Sequence, residues 1–87
     1  MAKHLRIKVG EFTFIFKYET EHPELLHIYA QHLMQPKDAI DTFFEGAEDK
    51  WDEQHKRFET STESITILWF WKVQDEVVYI ISCYRNY

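Results

Sequence analysis

Cysteine is almost missing from this chain. Cys83 is the only one in 87 residues, so no intramolecular disulfide can form and a secreted disulfide scaffold is excluded. No stretch approaches 18 apolar residues, which rules out a membrane-spanning helix. The start, Met1-Ala2-Lys3-His4-Leu5-Arg6, is basic but passes directly into alternating residues, a pattern that predicts no signal peptide and hence a cytoplasmic protein. Lys and Arg form no cluster, and phosphate backbones are bound mainly by such clusters, so direct nucleic-acid binding is disfavoured. A phosphate loop, dinucleotide fingerprint, nucleophile elbow, zinc-ligand pair and calcium loop are all lacking, and no cofactor or metal is expected.

What the chain does have is aromatic bulk. Hydrophobic residues make up 45% and aromatic residues 17% of the sequence, far from the composition of a disordered segment. A chain this short buries only about 60–65% of its unfolded surface, so residues 1–87 form one domain around one core, carried largely by Phe, Tyr and Trp. Fifteen acids stand against ten bases, for a net charge of −5. The excess is uneven: residues 1–44 sum to −1 and residues 45–87 to −4. Glu45, Glu48, Asp49, Asp52 and Glu53, against Lys50 alone, form the densest acidic run, which reads either as a solvated loop or helix end or as a docking face for a basic partner.

The clearest local structure is an N-terminal hairpin with strands near His4–Val9 and Phe12–Tyr18. Gly10 at the first central position of a two-residue loop favours a type II′ turn. That register pairs Val9 with Phe12, Ile7 with Phe14 and Leu5 with Phe16, placing six apolar side chains on one face. His4, Arg6, Lys8, Thr13 and Lys17 then fall on a solvated, locally basic face, with Ile15 the exception. Pro23 and Glu24 suit the first turn of a helix to about Leu33, with Leu25, Tyr29 and Leu33 on one face; the alternation Leu26, Ile28, Ala30 also fits a strand, so this segment stays open. Pro36 opens a second helix with Asp38 in its first turn, an apolar stripe of Ala39, Ile40, Phe43 and Phe44, and Gly46 at its C-cap. Lys56–Thr60 is read as a short strand and Ser61–Ser64 as a turn. Ile65–Lys72 and Glu76–Tyr84 are strong strands joined by Val73-Gln74-Asp75, and being apolar on both faces they belong at the centre of a sheet. The predicted fold is α+β: an antiparallel sheet of four to five strands with one or two helices packed on one face. If the helices cover one face only, Trp69, Trp71 or their opposite neighbours are left partly exposed as an interface patch; otherwise they close the core.

Few residues suggest chemistry. His22, His27 and His32 recur every five residues, which spreads them about 140° apart on a helix, whereas two ligands on one face need a spacing of three or four. Cys83, in an apolar strand, reads as a buried inert thiol. Asp38, Asp41 and Glu45 lie opposite the apolar stripe of their helix and read as a solvated face. His55, Arg57, Tyr84 and Arg85 lie near predicted strand ends, and a His, an Arg and a Tyr on a sheet surface can serve general acid/base work and charge stabilisation.

A histidine-bearing helical segment, then Pro36-Lys37-Asp38-Ala39-Ile40-Asp41-Thr42-Phe43-Phe44-Glu45-Gly46, an Arg-Phe strand and a terminal strand before Arg85 resemble in layout the small BrnT/RelE-type toxins of toxin–antitoxin systems, over roughly residues 22–85. The resemblance implies a metal-independent ribonuclease using His55, Arg57, Tyr84 and Arg85. Such ribonucleases are usually basic, and the charge of −5 departs from that pattern. Size, acidity and aromatic richness instead favour a non-enzymatic protein-binding module, of the kind a phage or mobile element uses as an inhibitor, which docks on a basic partner such as a nucleic-acid-binding protein. Its binding residues would be Glu45, Glu48, Asp49, Trp51, Asp52 and Glu53. The ribonuclease is the alternative, and a homodimeric structural protein the third.

Overall fold

The computed structural model describes residues 4–46, 48–72 and 76–86, without the side chains of Trp71 and Lys72. The expected hairpin is present as β1 (His4–Val9) and β2 (Phe12–Lys17). Its register pairs Leu5 with Phe16, Ile7 with Phe14 and Val9 with Phe12. Gly10 takes φ +61°, the left-handed value required at the first central residue of this turn.

The segment left open between helix and strand forms a turn followed by a short helix. His22 accepts a hydrogen bond from the Leu25 amide at 2.9 Å, so Pro23 occupies the second position of a β-turn, where its fixed φ is equally at home. Tyr18 bridges Leu26, and only His27–His32 forms helix α1. The side chain buried from α1 is Ile28, whereas Leu25, Tyr29 and Leu33 face outward or sit at the edge. Glu19 fastens the turn, its carboxylate 2.5 Å from His27 Nδ1, and this contact holds the Glu19 carboxyl below the ordinary range.

Helix α2 (Pro36–Glu45) is as expected at its start, with the Asp38 carboxylate accepting from the Gln35 amide at 2.9 Å as in a capping box. Ala39, Ile40 and Thr42 are buried, while Phe44 is half exposed. Gly46 caps the helix by donating its N–H to Thr42 O at 2.8 Å. Its φ is −59°, so glycine serves here through close approach: a Cβ would lie 2.2 Å from Thr60 Cγ2.

Four more strands follow: β3 (Asp49–Asp52), β4 (Arg57–Ser61), β5 (Ile65–Lys72) and β6 (Val77–Arg85). The six-stranded sheet has the order β1-β2-β6-β5-β4-β3. All neighbours are antiparallel except β2 and β6, which run parallel. The expectation of four to five antiparallel strands is corrected on both counts: an extra strand forms inside the acidic run, and β6 returns beside β2 in the same direction because α1, α2 and β3–β5 intervene as a long crossover. The expected β5–β6 connection, Val73-Gln74-Asp75, lies outside the described residues.

Both helices pack on one face of the sheet, where Ile28, Met34, Ala39 and Ile40 meet Phe14, Phe16, Ile67, Trp69, Val78, Ile80 and Cys83. Trp69 is only 4% exposed and belongs to this core; the Trp71 side chain lies outside the described residues. Leu68 pairs with Ser82 and Trp69 with Ile80, leaving Ile81 as a bulge. One extra residue shifts the alternation of the strand, which is how Ile80 and Cys83, three apart, both reach the core. On the open face the register aligns Arg6, Ile15, Tyr79 and Phe70 in a cross-strand row.

Candidate functional site at the β3 edge

β3 is an outer strand of the sheet, paired among the described residues with β4 alone. Three of its four residues are charged, a composition poor in strand propensity, so its place depends on its partners. Asp49 and Trp51 stand opposite Thr60 and Phe58. The buried Trp69 indole N–H donates to Thr60 Oγ1 at 2.9 Å, and the Thr60 hydroxyl donates to Asp49 Oδ1 at 2.5 Å. This relay satisfies a buried indole and fixes β3, β4 and β5 to one another.

A chain of aromatic rings runs beside the relay. Trp51 meets Phe58 edge-on at 4.9 Å, Phe58 stacks on Trp69 at 4.7 Å, and Trp69 meets Phe43 of α2 at 5.0 Å. A groove of about 260 Å³ lined by Phe12, Phe43, Asp49, Phe58 and Trp69 opens between α2 and this end of the sheet. Trp51 is 50% exposed. A large half-exposed aromatic on a free edge beside an apolar groove is the composition of an interface anchor.

The acidic residues do not share one face. Strand alternation sends Asp49 and Trp51 to the helix side and Lys50 and Asp52 to the other, where they stand opposite Glu59 and Arg57. Asp52 closes the β3–β4 turn: its carboxylate accepts from the Gln54 and His55 amides at 3.1 and 3.2 Å and lies 2.8 Å from His55 Nδ1. The hydrogen bond with the His55 ring is the main cause holding the Asp52 carboxyl below its ordinary value. Glu53 is bound by Lys56 and by the Trp51 indole N–H, the latter at 2.6 Å, and its carboxyl is likewise lowered, chiefly by Lys56. Glu45 ends α2 and borders the β4–β5 turn with Ser61 to Ser64, while Glu48 lies with Lys50, Glu59 and Ser61. Among the described residues Glu45, Glu48 and Asp49 make no ion pair, so their charges are not offset by a neighbouring cation. Comparison with known protein families, curated proteins and solved structures yields no match.

His55, Arg57, Tyr84 and Arg85 separate into two pairs. His55 and Arg57 belong to the β3–β4 turn, where Arg57 Nε is 3.9 Å from Asp52. Tyr84 and Arg85 lie against Thr66 and Ile65, beside the β4–β5 turn that Asn86 ties down through Thr62 O and Glu63 O at 3.0 and 3.2 Å. The two turns are at opposite ends of β4. With Phe58 opposite Trp69 and Tyr84 opposite Thr66, Arg57 and Tyr84 are offset by roughly 13 Å along the strands and two strands laterally, too far to act on one bond. His22, His27 and His32 also go to separate neighbours: Glu24, Glu19 and the Tyr84 ring.

What the sequence left unseen here is the groove. The acidic run and Trp51 were visible in it, but the aromatic lining comes from β2, α2, β4 and β5, and no local pattern joins those segments.

Proposed function

We propose that this chain is a non-enzymatic protein-binding module that docks on a basic partner through the β3 edge, such as a protein with a nucleic-acid-binding groove. The observation that carries this reading is Trp51: a half-exposed indole on an edge strand, beside an aromatic groove that Asp49 also lines. Aromatic anchors of this kind supply most of the binding energy, with truncation costing about 2 kcal/mol or more. Carboxylates around them set the association rate and its salt dependence. Glu45 and Asp49 are the acids beside Trp51 in this reading and Glu48 stands at the same edge on the opposite face, while Asp52 and Glu53 act by shaping the turn.

The test is a tagged pull-down from host lysate at low and high salt, comparing the natural chain with Trp51→Ala and with a Glu45→Lys/Glu48→Lys/Asp49→Lys variant. One basic protein retained at low salt, released at high salt and lost with both variants is the expected result. Retention unchanged by either variant removes the docking edge.

A further inference from the structure

The edge of the sheet farthest from β3 is β1, which among the described residues pairs with β2 alone. It holds neither proline nor glycine, and its register with β2 runs from His4 to Val9 without a bulge. The direction of its backbone groups follows from β2. The Thr13 amide donates to Glu76 O at 3.0 Å, toward β6, so Lys8 and the facing Thr13 exchange no hydrogen bonds with each other. In an antiparallel ladder such pairs alternate with hydrogen-bonded ones. The N–H and C=O of Lys8, and by the same alternation those of Arg6 and His4, therefore point to the open edge. A regular row of unpaired donors and acceptors is a template for a further strand.

The side chains select the kind of strand. Arg6 and Lys8 are exposed on the open face of the sheet, while Leu5, Ile7 and Val9 on the helix face are half-buried at the margin of the core. On β2 the two cations face Ile15 and Thr13, and among the described residues neither forms an ion pair. Residues 4–18 carry Arg6, Lys8 and Lys17 against Glu11, a local charge of +2 with His neutral on a chain of −5. Cations on an edge deter a second copy: antiparallel pairing of β1 with β1 keeps the open faces together and sets cation opposite cation, which is destabilising. A strand of opposite charge meets no such barrier. We infer that β1 is a strand-addition site for an extended acidic segment of another protein, in which Asp or Glu alternates with aliphatic residues. The acids stand opposite Arg6 and Lys8, the aliphatic residues cover the open sides of Leu5, Ile7 and Val9, and the main chain completes the ladder. This site goes beyond the β3 reading, since it uses the opposite edge and a partner of opposite charge.

The experiment titrates the full chain, followed through its backbone amide NMR signals, with three short peptides: valine alternating with glutamate, valine alternating with lysine, and the glutamate peptide rearranged so that its acids are contiguous. The alternating glutamate peptide is expected to shift the amides of His4, Arg6 and Lys8 and to slow their exchange with solvent, with the lysine and rearranged peptides each at least about tenfold weaker. Arg6→Glu/Lys8→Glu, at two exposed positions, should weaken the glutamate peptide at least about tenfold and let the lysine peptide bind in its place, a reversal that a merely destabilised hairpin would not give. Equal binding of the rearranged peptide would overturn the strand pairing, and equal binding of the lysine peptide the charge matching. Shifts confined to β3, protection of β1 that grows with the concentration of the free chain, or no shift at millimolar glutamate peptide would overturn the site altogether.

Discussion

Replacing Gly46 by Ala tests how tightly α2 is seated on the strands beside β3. The added Cβ would lie 2.2 Å from the γ-methyl of Thr60 and 2.9 Å from Thr42 O. Neither neighbour gives way freely: Thr60 is fully buried and holds the Trp69–Thr60–Asp49 relay, and Thr42 O is the acceptor of the cap itself. Overpacking of this kind destabilises by about 1–3 kcal/mol; with two contacts violated, about 2 kcal/mol is expected. For a domain of this size that lowers Tm by roughly 8–16 °C. Thr60→Ser removes the offending methyl but keeps the relay hydroxyl, and alone should cost about 1 kcal/mol. Combined, the two should not sum to about 3 kcal/mol. The clash with Thr60 is gone while that with Thr42 O persists, so the double variant should lose about 2 kcal/mol, a coupling near 1 kcal/mol. Urea unfolding of the four proteins, followed by tryptophan fluorescence, measures all four free energies. Gly46→Ala at natural stability, or losses that add within about 0.3 kcal/mol, would refute the packing described.

Other expectations follow from single residues. Leu33 ends α1 at φ +58° and is 68% exposed, so Leu33→Gly should raise stability by about 0.5–1 kcal/mol in urea unfolding; a loss would show that the side chain packs. Burial pushes the Cys83 thiol up to about 12, so a disulfide reagent at pH 8 should label the native chain only as fast as it unfolds, and at once in denaturant. Immediate native labelling would contradict the burial. Glu19, Asp52 and Glu53 are held low in the folded state, so what they contribute is present at neutral pH and is lost as pH falls through and below the ordinary carboxylate range of about 4. Asp52→Asn should make stability less steep in pH over that interval, and an unchanged slope in acid titration would show that the pairing with His55 contributes nothing.

The parts of the fold visible in the sequence were those where two local signals agreed. In the hairpin, Gly10 and the alternation of Leu5 to Phe16 selected the same register, and in α2 Pro36, Asp38 and the stripe from Ala39 agreed on where the helix starts. The segment of α1 stays open in the sequence because Pro23 suits a turn as well as a helix start, and six helical residues give too short a stripe to decide. β3 was invisible as a strand, since Asp-Lys-Trp-Asp is held by Thr60, Phe58 and the relay from Trp69 rather than by its own preference. The parallel pairing of β2 with β6 and the bulge at Ile81 are tertiary choices with no local signature. At the site, the acidic run was legible as a run, but its division between two faces follows from the strand it forms. The alternation that predicts a basic face on the hairpin agrees with the β1–β2 register, whereas the meeting of Phe70 with Tyr79 follows only from the β5–β6 register.

The docking claim meets its most direct test in hydrogen–deuterium exchange of the chain, free and saturated with the basic protein it retains from lysate. Slowed exchange confined to residues 48–53 and the neighbouring end of α2, together with loss of solvent quenching at Trp51, is the predicted result. Protection over β1 or α1 with β3 unchanged would contradict the account.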